Sequence, residues 1–292
     1  MHPTLRLGTR GSPLALVQAG LVRDALAAAH GVEAAIVVVT TTGDRVQDRA
    51  LAEIGGKALW TKELDRALLA GEIDCAVHSM KDVETHRPAE IAIAAMLPRA
   101  DVRDRLIGAE SLAALAPGAV IGTSSPRRTA QVLRARPDCR VTLLRGNVDT
   151  RLARVAAREC DATLLAAAGL ERLGREVGAA VPVDAMLPAP AQGAVGIEAR
   201  AGDAATRALL AAIDHAPTRR AVLAERALLA ALGATCHSPV AALAEGDRLR
   251  AEILGLDGVE CVSAEGSAGD PAGLAAGLIA RATPALAALF GG

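Results

Sequence analysis

The feature that most constrains this chain is a strand–turn–helix opening that occurs twice. Leu7-Gly8-Thr9-Arg10-Gly11-Ser12-Pro13 can be set beside Ile121-Gly122-Thr123-Ser124-Ser125-Pro126 with one residue inserted, and Gln18 and Gln131 follow at the same distance from the proline. In each, a short apolar run precedes a turn, and Ser-Pro supplies an N-cap and a first helical residue. Leu14, Val17, Leu21, Ala25 and Leu26 then recur at helical spacing. Apolar or β-branched runs at 35–40, 73–77, 91–97, 119–122, 141–144 and 163–166 read as strands, the first three of them buried. A helix capped by Thr61 and ending near Gly71, and another from about Val148, fall between them. Such alternation builds a mostly parallel sheet. It predicts two similar α/β domains, each presenting a helix N-terminus to a shared cleft.

The 292 residues suffice for roughly two domains, or three. Val181 to Gln192 carries Pro182, Pro188 and Pro190 and reads as a crossing segment between domains, after which Gly193 to Ala199 is a strand returning to the first sheet. Thr218 is expected to cap a long helix to about Leu232. Strands near 240–243, 249–256 and up to Ser263, a turn at Asp257-Gly258 and a closing helix from about Pro271 make a small α+β unit. The expected fold class is therefore α/β with three domains: 1–98 plus about 193–215, 102–190, and 217–292.

Apolar residues make up 51% of the chain and charged residues 22%, and the net charge is −1. With one Trp, one Phe and no Tyr there are no base-stacking surfaces, which together with the charge argues against nucleic acid as partner. Five cysteines without C-x-x-C spacing make a disulfide framework or a zinc site unexpected, and no metal is expected. Met1 to Gly8 lacks an apolar signal core and no run reaches membrane-span length, so the expected location is cytoplasmic, with no membrane partner.

Four constellations carry chemistry. Arg127 and Arg128 stand in the first turn of the helix opened by Ser125-Pro126. Cations there oppose the helix dipole unless an anion is present, and an anion would gain from the free N–H groups, the hydroxyls and both guanidiniums. Second, Thr123 to Arg158 holds nine arginines against two aspartates, with Arg145-Gly146-Asn147 in a strand-to-helix loop and Arg151 a turn later. Arginines converging at the carboxyl ends of strands fit a ligand with several carboxylates or phosphates. Arg134, Arg136, Arg154 and Arg158 read as helix-surface charge instead. Third, His78-Ser79-Met80-Lys81-Asp82 follows the strand at 73–77. Asp82 there is either a helix cap or a carboxylate that stabilises a cation or moves a proton, and a lone His78 reads as structural. Fourth, Cys236 sits in a loop after a long helix, and is either a reactive thiol or an ordinary small buried residue. Cys75, Cys139, Cys160 and Cys261 read as structural.

Taken together these motifs resemble the porphobilinogen deaminase (hydroxymethylbilane synthase) family over nearly the whole chain. The resemblance rests on Thr9 to Ala15, Gly55-Gly56-Lys57, Lys62-Glu63-Leu64, Ala76 to Val83, Gly122 to Ser125 with Arg127-Arg128, Leu144 to Val148, Ala168-Gly169-Leu170, Gln192 to Glu198, and Cys236. It implies two domains like those of periplasmic binding proteins and a third carrying the cysteine. It implies a dipyrromethane cofactor joined to Cys236 by a thioether and assembled from the enzyme's own substrate, porphobilinogen. Each porphobilinogen would lose ammonia to give an azafulvene, which the terminal pyrrole of the growing chain attacks. After four additions water releases hydroxymethylbilane. Asp82 would be catalytic. Lys81, Ser125, Arg127 and Arg128 match positions that hold the cofactor. Arg10, Arg145, Arg151 and Arg172 match positions that hold substrate carboxylates, and Ser12, Gln18, Thr123 and Gln192 are expected substrate contacts. A monomer is expected, with hand-off of product to the next pathway enzyme.

Two features depart from the family pattern. Ala234 and Thr235 stand where two glycines usually precede the cysteine, which would strain a backbone needing positive φ, and His237 and Ser238 replace commoner residues after it. Trp60 keeps an aromatic where the family usually has Phe. A solute-binding module for an anionic ligand is the competing reading from the arginines alone, but a bare binder has no use for Cys236.

Overall fold

A computed structural model describes residues 4–40, 61–235 and 237–291 of the chain. Gly55-Gly56-Lys57, Trp60 and Cys236 lie outside the described residues. The chain divides into two compact units, residues 1–100 with 193–220 and residues 101–192 with 221–292.

The first unit opens with β1 (Leu5–Thr9), α1 (Pro13–His30) and β2 (Ala34–Val38). The Ser12 hydroxyl accepts from Ala15 N and Pro13 opens the helix, as the Ser-Pro pair predicts. Then come α2 (Lys62–Leu69), β3 (Cys75–Ser79), a 3-10 turn at Met80–Asp82, and β4 (Ile91–Met96). Thr61 makes no capping bond to α2, because its hydroxyl donates to Glu84 Oε2 at 2.7 Å instead.

The second unit begins with β5 (Asp104–Ile107), β6 (Val120–Gly122), α3 (Pro126–Ala135), β7 (Arg140–Thr142), α4 (Val148–Ala156), β8 (Ala162–Ala166), α5 (Ala167–Arg172) and β9 (Ala179–Ala180). The chain returns to the first unit as β10 (Val195–Arg200), α6 (Ala204–Ala211) and α7 (Ala216–Ala231), whose far end enters the second unit. The helix starts before Thr218, whose hydroxyl bonds His215 Nδ1 and Arg99 N rather than acting as N-cap. β11 (Val240–Glu245), β12 (Arg248–Leu254), β13 (Cys261–Ser267), α8 (Pro271–Arg281) and a short α9 (Pro284–Ala287) complete the chain, so the helix from Pro271 is not the last.

The sheet orders are β2-β1-β3-β10-β4 and β7-β6-β8-β5-β9. In each, three parallel strands are followed by an antiparallel one and a further edge strand. The duplicated opening is thus a duplicated topology. β2 is an edge strand and half exposed, with Val38 at 53% exposure, not the buried strand its β-branched run predicts. A third, antiparallel sheet runs β11-β12-β13.

Several separate cores fill these layers. Leu7, Val22, Leu26, Val77 and Ile197 belong to the first, Leu106, Ile121, Val132 and Leu164 to the second, and Leu228, Ile253, Leu278 and Phe290 to the third. The fold class read from the sequence, two α/β layers plus a small α+β part, is the one observed. The small sheet joins the second unit because β11 is buried on both faces: Ala241 and Leu243 pack with Leu187, Val102 and Val183, while Val240, Ala242 and Ala244 face their own core.

Candidate active site

In the first unit, Arg10, Ser12, Gln18 and Asp82 line one open pocket of about 420 Å³, counting space open to solvent, with Thr61, His78, Ser79 and Val83 among its other walls. The pocket lies where β1 and β3, adjacent and parallel, both end, which is where ligands bind in open α/β sheets. Gln18 is buried and donates through Nε2 to Ser79 Oγ at 3.0 Å, tying α1 to the end of β3. Asp82 is half-buried. Lys81 precedes it on the same 3-10 turn. His78, expected to be structural, borders this pocket and also lies 3.2 Å through Nε2 from Glu198 Oε2. Burial works to raise the Glu198 pKa, but His78 and Arg87 outweigh it and hold the carboxyl at about 2.

In the second unit, β6, β7 and β8 are parallel and adjacent, so Thr123 to Arg128, the Arg145 loop and α5 with Arg172 all follow strand carboxyl ends. The Ser125 hydroxyl accepts from Arg128 N and caps α3, and Thr123 Oγ1 accepts from Ser125 N at 3.2 Å. The anion that the two arginines call for is supplied by the chain itself. Asp104, fully buried on β5, accepts from Arg127 Nη2 at 2.8 Å and Arg128 Nη2 at 2.7 Å. Burial opposes its charge, yet the two guanidiniums keep its carboxyl well below the usual range. Gln192 donates to the same carboxylate at 3.0 Å and to Val102 O at 2.8 Å. Arg127 Nη1 also donates to Gln131 Oε1 and Leu187 O, so this guanidinium is enclosed by protein.

Arg145 and Arg151 flank a turn that needs glycine at 146. Gly146 has φ 114°, and a Cβ there would lie 2.8 Å from Thr150 Cβ. Arg151 Nε donates to Gly146 O at 2.9 Å. Arg145 Nη1 is buried with no hydrogen-bond partner among the described residues, and so is Arg128 Nε. Such orphaned donors are what an anionic ligand satisfies. Burial lowers the Arg172 pKa, an added preference for a nearby anion.

Cys236 lies outside the described residues, but its neighbours answer the strain question. Positive φ falls on Gly233, at 62°, and Ala234 and Thr235 are not among the positive-φ residues. Thr235 N donates to Ser238 Oγ, Ser238 N to Thr235 O and His237 N to Thr235 Oγ1, at 3.0 to 3.2 Å. The departures from two glycines thus form a bonded turn. Cys75, Cys139, Cys160 and Cys261 are free, the first three buried, and burial pushes all four thiols up, away from reactivity. Among the described residues no cluster suited to a metal occurs, and no helix is long and apolar enough to cross a membrane.

Sequence reasoning missed Asp104, Arg87 and Glu198. The need for a counter-charge was legible, since two cations at a helix entry require one, but not which residue supplies it.

These features define an α/β protein with arginine-lined, helix-capped sites at its strand ends. The chain belongs to the porphobilinogen deaminase family: residues 5–208 match "Porphobilinogen deaminase, dipyromethane cofactor binding domain" and residues 219–278 match "Porphobilinogen deaminase, C-terminal domain". Porphobilinogen deaminase of Sphingopyxis alaskensis is 60% identical over 303 residues, covering 98% of this chain and 96% of that one. Its counterpart from Paracoccus denitrificans is 52% identical, over 92% of this chain and 90% of its own. The chain is accordingly an enzyme of a dipyrromethane-dependent transferase family of tetrapyrrole biosynthesis.

Proposed function

We propose that this chain condenses four porphobilinogen molecules head to tail and releases the linear tetrapyrrole hydroxymethylbilane. The observation that carries the reading is the first unit's pocket, where the Asp82 carboxylate and the Arg10 guanidinium border one space. Porphobilinogen brings an acetate, a propionate, a ring N–H and an aminomethyl group. Arg10 binds a ring carboxylate, with Ser12 and Gln18 as further polar contacts. Asp82 takes the ring N–H and stabilises the positive charge that develops there as the C–N bond breaks and ammonia leaves. The same carboxylate serves when the new C–C bond forms and the attacking carbon loses its proton.

Bound dipyrromethane supplies the free α-carbon to which units are added and a tether that keeps partial chains from diffusing away. The residues present fit it: Arg145 and Arg128 offer buried, unsatisfied donors for its carboxylates. Cys236 is the covalent anchor, and Lys81, Ser125 and Arg128 bind the cofactor's carboxylates. Arg127, enclosed by Asp104, Gln131 and Leu187, acts by positioning Arg128 and the α3 entry. Arg151, Arg172, Thr123 and Gln192 line the route of the lengthening anionic chain. The domains carrying these roles are 1–98 with about 193–215, 102–190, and 217–292, and the enzyme works as a cytoplasmic monomer that passes its product to the next pathway enzyme.

Intact mass spectrometry tests the anchor. Purified protein should carry an adduct of dipyrrole mass that disappears in Cys236→Ser. An unmodified wild-type mass without turnover of porphobilinogen would leave a solute-binding module. Asp82→Asn should keep its fold and lose nearly all turnover, and near-normal turnover would remove Asp82 from its role.

A further inference from the structure

One buried carboxylate meets the chain on both sides of Asp82. Glu198, in the middle of β10, has no solvent exposure. Before Asp82, His78 on β3 lies 3.2 Å from Glu198 Oε2. After Asp82, Arg87 forks onto the same carboxylate, Nε to Oε1 and Nη2 to Oε2, each at 2.8 Å. The remaining Arg87 donors reach Glu84 Oε2 at 2.8 Å, Thr61 Oγ1 at 3.4 Å and Asp65 Oδ1 on α2. All five guanidinium N–H directions are therefore in use. Residues 83–88 contain no helix or strand, so these side-chain bonds fix that segment. The turn holding Asp82 is pinned to β10 as well: Met80 N donates to Ala194 O at 3.1 Å, and the Met80 side chain fills the space where a Cβ on Gly196 would stand.

Three carboxylates gathered on one guanidinium beneath a catalytic turn are a costly way to secure a fold. Apolar side chains of similar volume hold a loop equally well or better in free energy. What a planar, fully bonded fork adds is fixed orientation. Arg87 does not border the pocket, so it has no direct bond to give a bound substrate there.

We propose that Arg87 and Glu198 are positioning residues that hold the Asp82 carboxylate in reactive alignment from both flanks, a role that rests on Asp82 being the catalytic carboxylate. Arg87→Lys keeps the charge and loses the fork. In the loaded enzyme this variant should retain the dipyrrole mass, cooperative unfolding and near wild-type KM, while kcat falls roughly 10- to 100-fold, the scale of a small misplacement of a reacting group. Placed on Asp82→Asn, the same change should cost nothing further, because residues acting as one unit are not additive. Wild-type kcat in folded Arg87→Lys, or a loss that multiplies onto that of Asp82→Asn, overturns the proposal. Should Arg87→Lys not fold, Glu198→Gln, of equal volume, carries the same measurements. If that variant also fails to fold, the cluster is structural and the proposal falls. High turnover in Asp82→Asn alone would instead sink the assignment of Asp82, whatever Arg87 does.

Discussion

At the scale of single residues, Ala191, between Pro190 and Gln192, shares with Arg158 a positive φ that is unusual outside glycine, 63° against 60°. The Ala191 N–H donates to buried Glu225 Oε2 at 2.6 Å, and the other Glu225 oxygen accepts from Ala244 N at 2.8 Å. The left-handed conformation costs a residue with a Cβ more than the entropy that glycine loses there. Ala191→Gly is therefore expected to stabilise the fold by about 0.5 kcal/mol, read as a raised urea midpoint with unchanged slope. Glu198 predicts a pH effect. Its carboxyl is lowered from 4.5 to about 2 in the folded state. The associated stability is fully present above the unfolded value and drains away as pH falls from about 4.5 towards 2. Glu198→Gln should flatten the urea-midpoint profile over that acid range, and an unaltered profile would contradict the assignment. Neither Glu198 nor Asp104 was legible as a partner in the sequence. Each pairs with a cation 23 or more positions away, and spacing arguments reach only about one helical turn.

Secondary elements were legible where chemistry is local. The Ser12 and Ser125 caps each sit beside a proline that starts a helix, and both helices begin where those pairs place them. Thr61 and Thr218 misled because their hydroxyls are taken by distant partners, Glu84 and Arg99. β5 was missed because Asp104 and Arg105 break the apolar run, and only the two arginines of α3 explain a charge inside a sheet. That arrangement sets an expectation for the element. Asp104→Asn leaves two buried guanidiniums short of an anion, and should cost about 3–5 kcal/mol by chemical denaturation. It should also reduce dipyrrole loading by loosening the α3 entry. A loss below 1 kcal/mol would mean that the arginines find other partners.

For the whole molecule, the duplicated topology was visible in outline, from two similar openings and a returning strand. The close attachment of the C-terminal sheet to the second unit was not, since it depends on contacts such as Gln131 with Glu252 and Arg250 with Asp184. Leu243 at this junction is 2% exposed. Residues 217–292 made alone should expose Leu243 and Ala241, lose these bonds, and self-associate on size-exclusion chromatography. A stable monomeric fragment would show that the junction is dispensable.

The central place of β10 in the first sheet also decides when that sheet can exist. β4 joins β3 only through β10, and β10 is translated after every strand of the second α/β layer. On the ribosome, β3 must therefore wait with an open edge, a template for wrong pairings, while that intervening layer is made and folds first. The first sheet cannot be completed until the strands of the second layer have been synthesised. This newborn chain should depend on chaperones until Val195 emerges, and mature last in the half that holds Asp82.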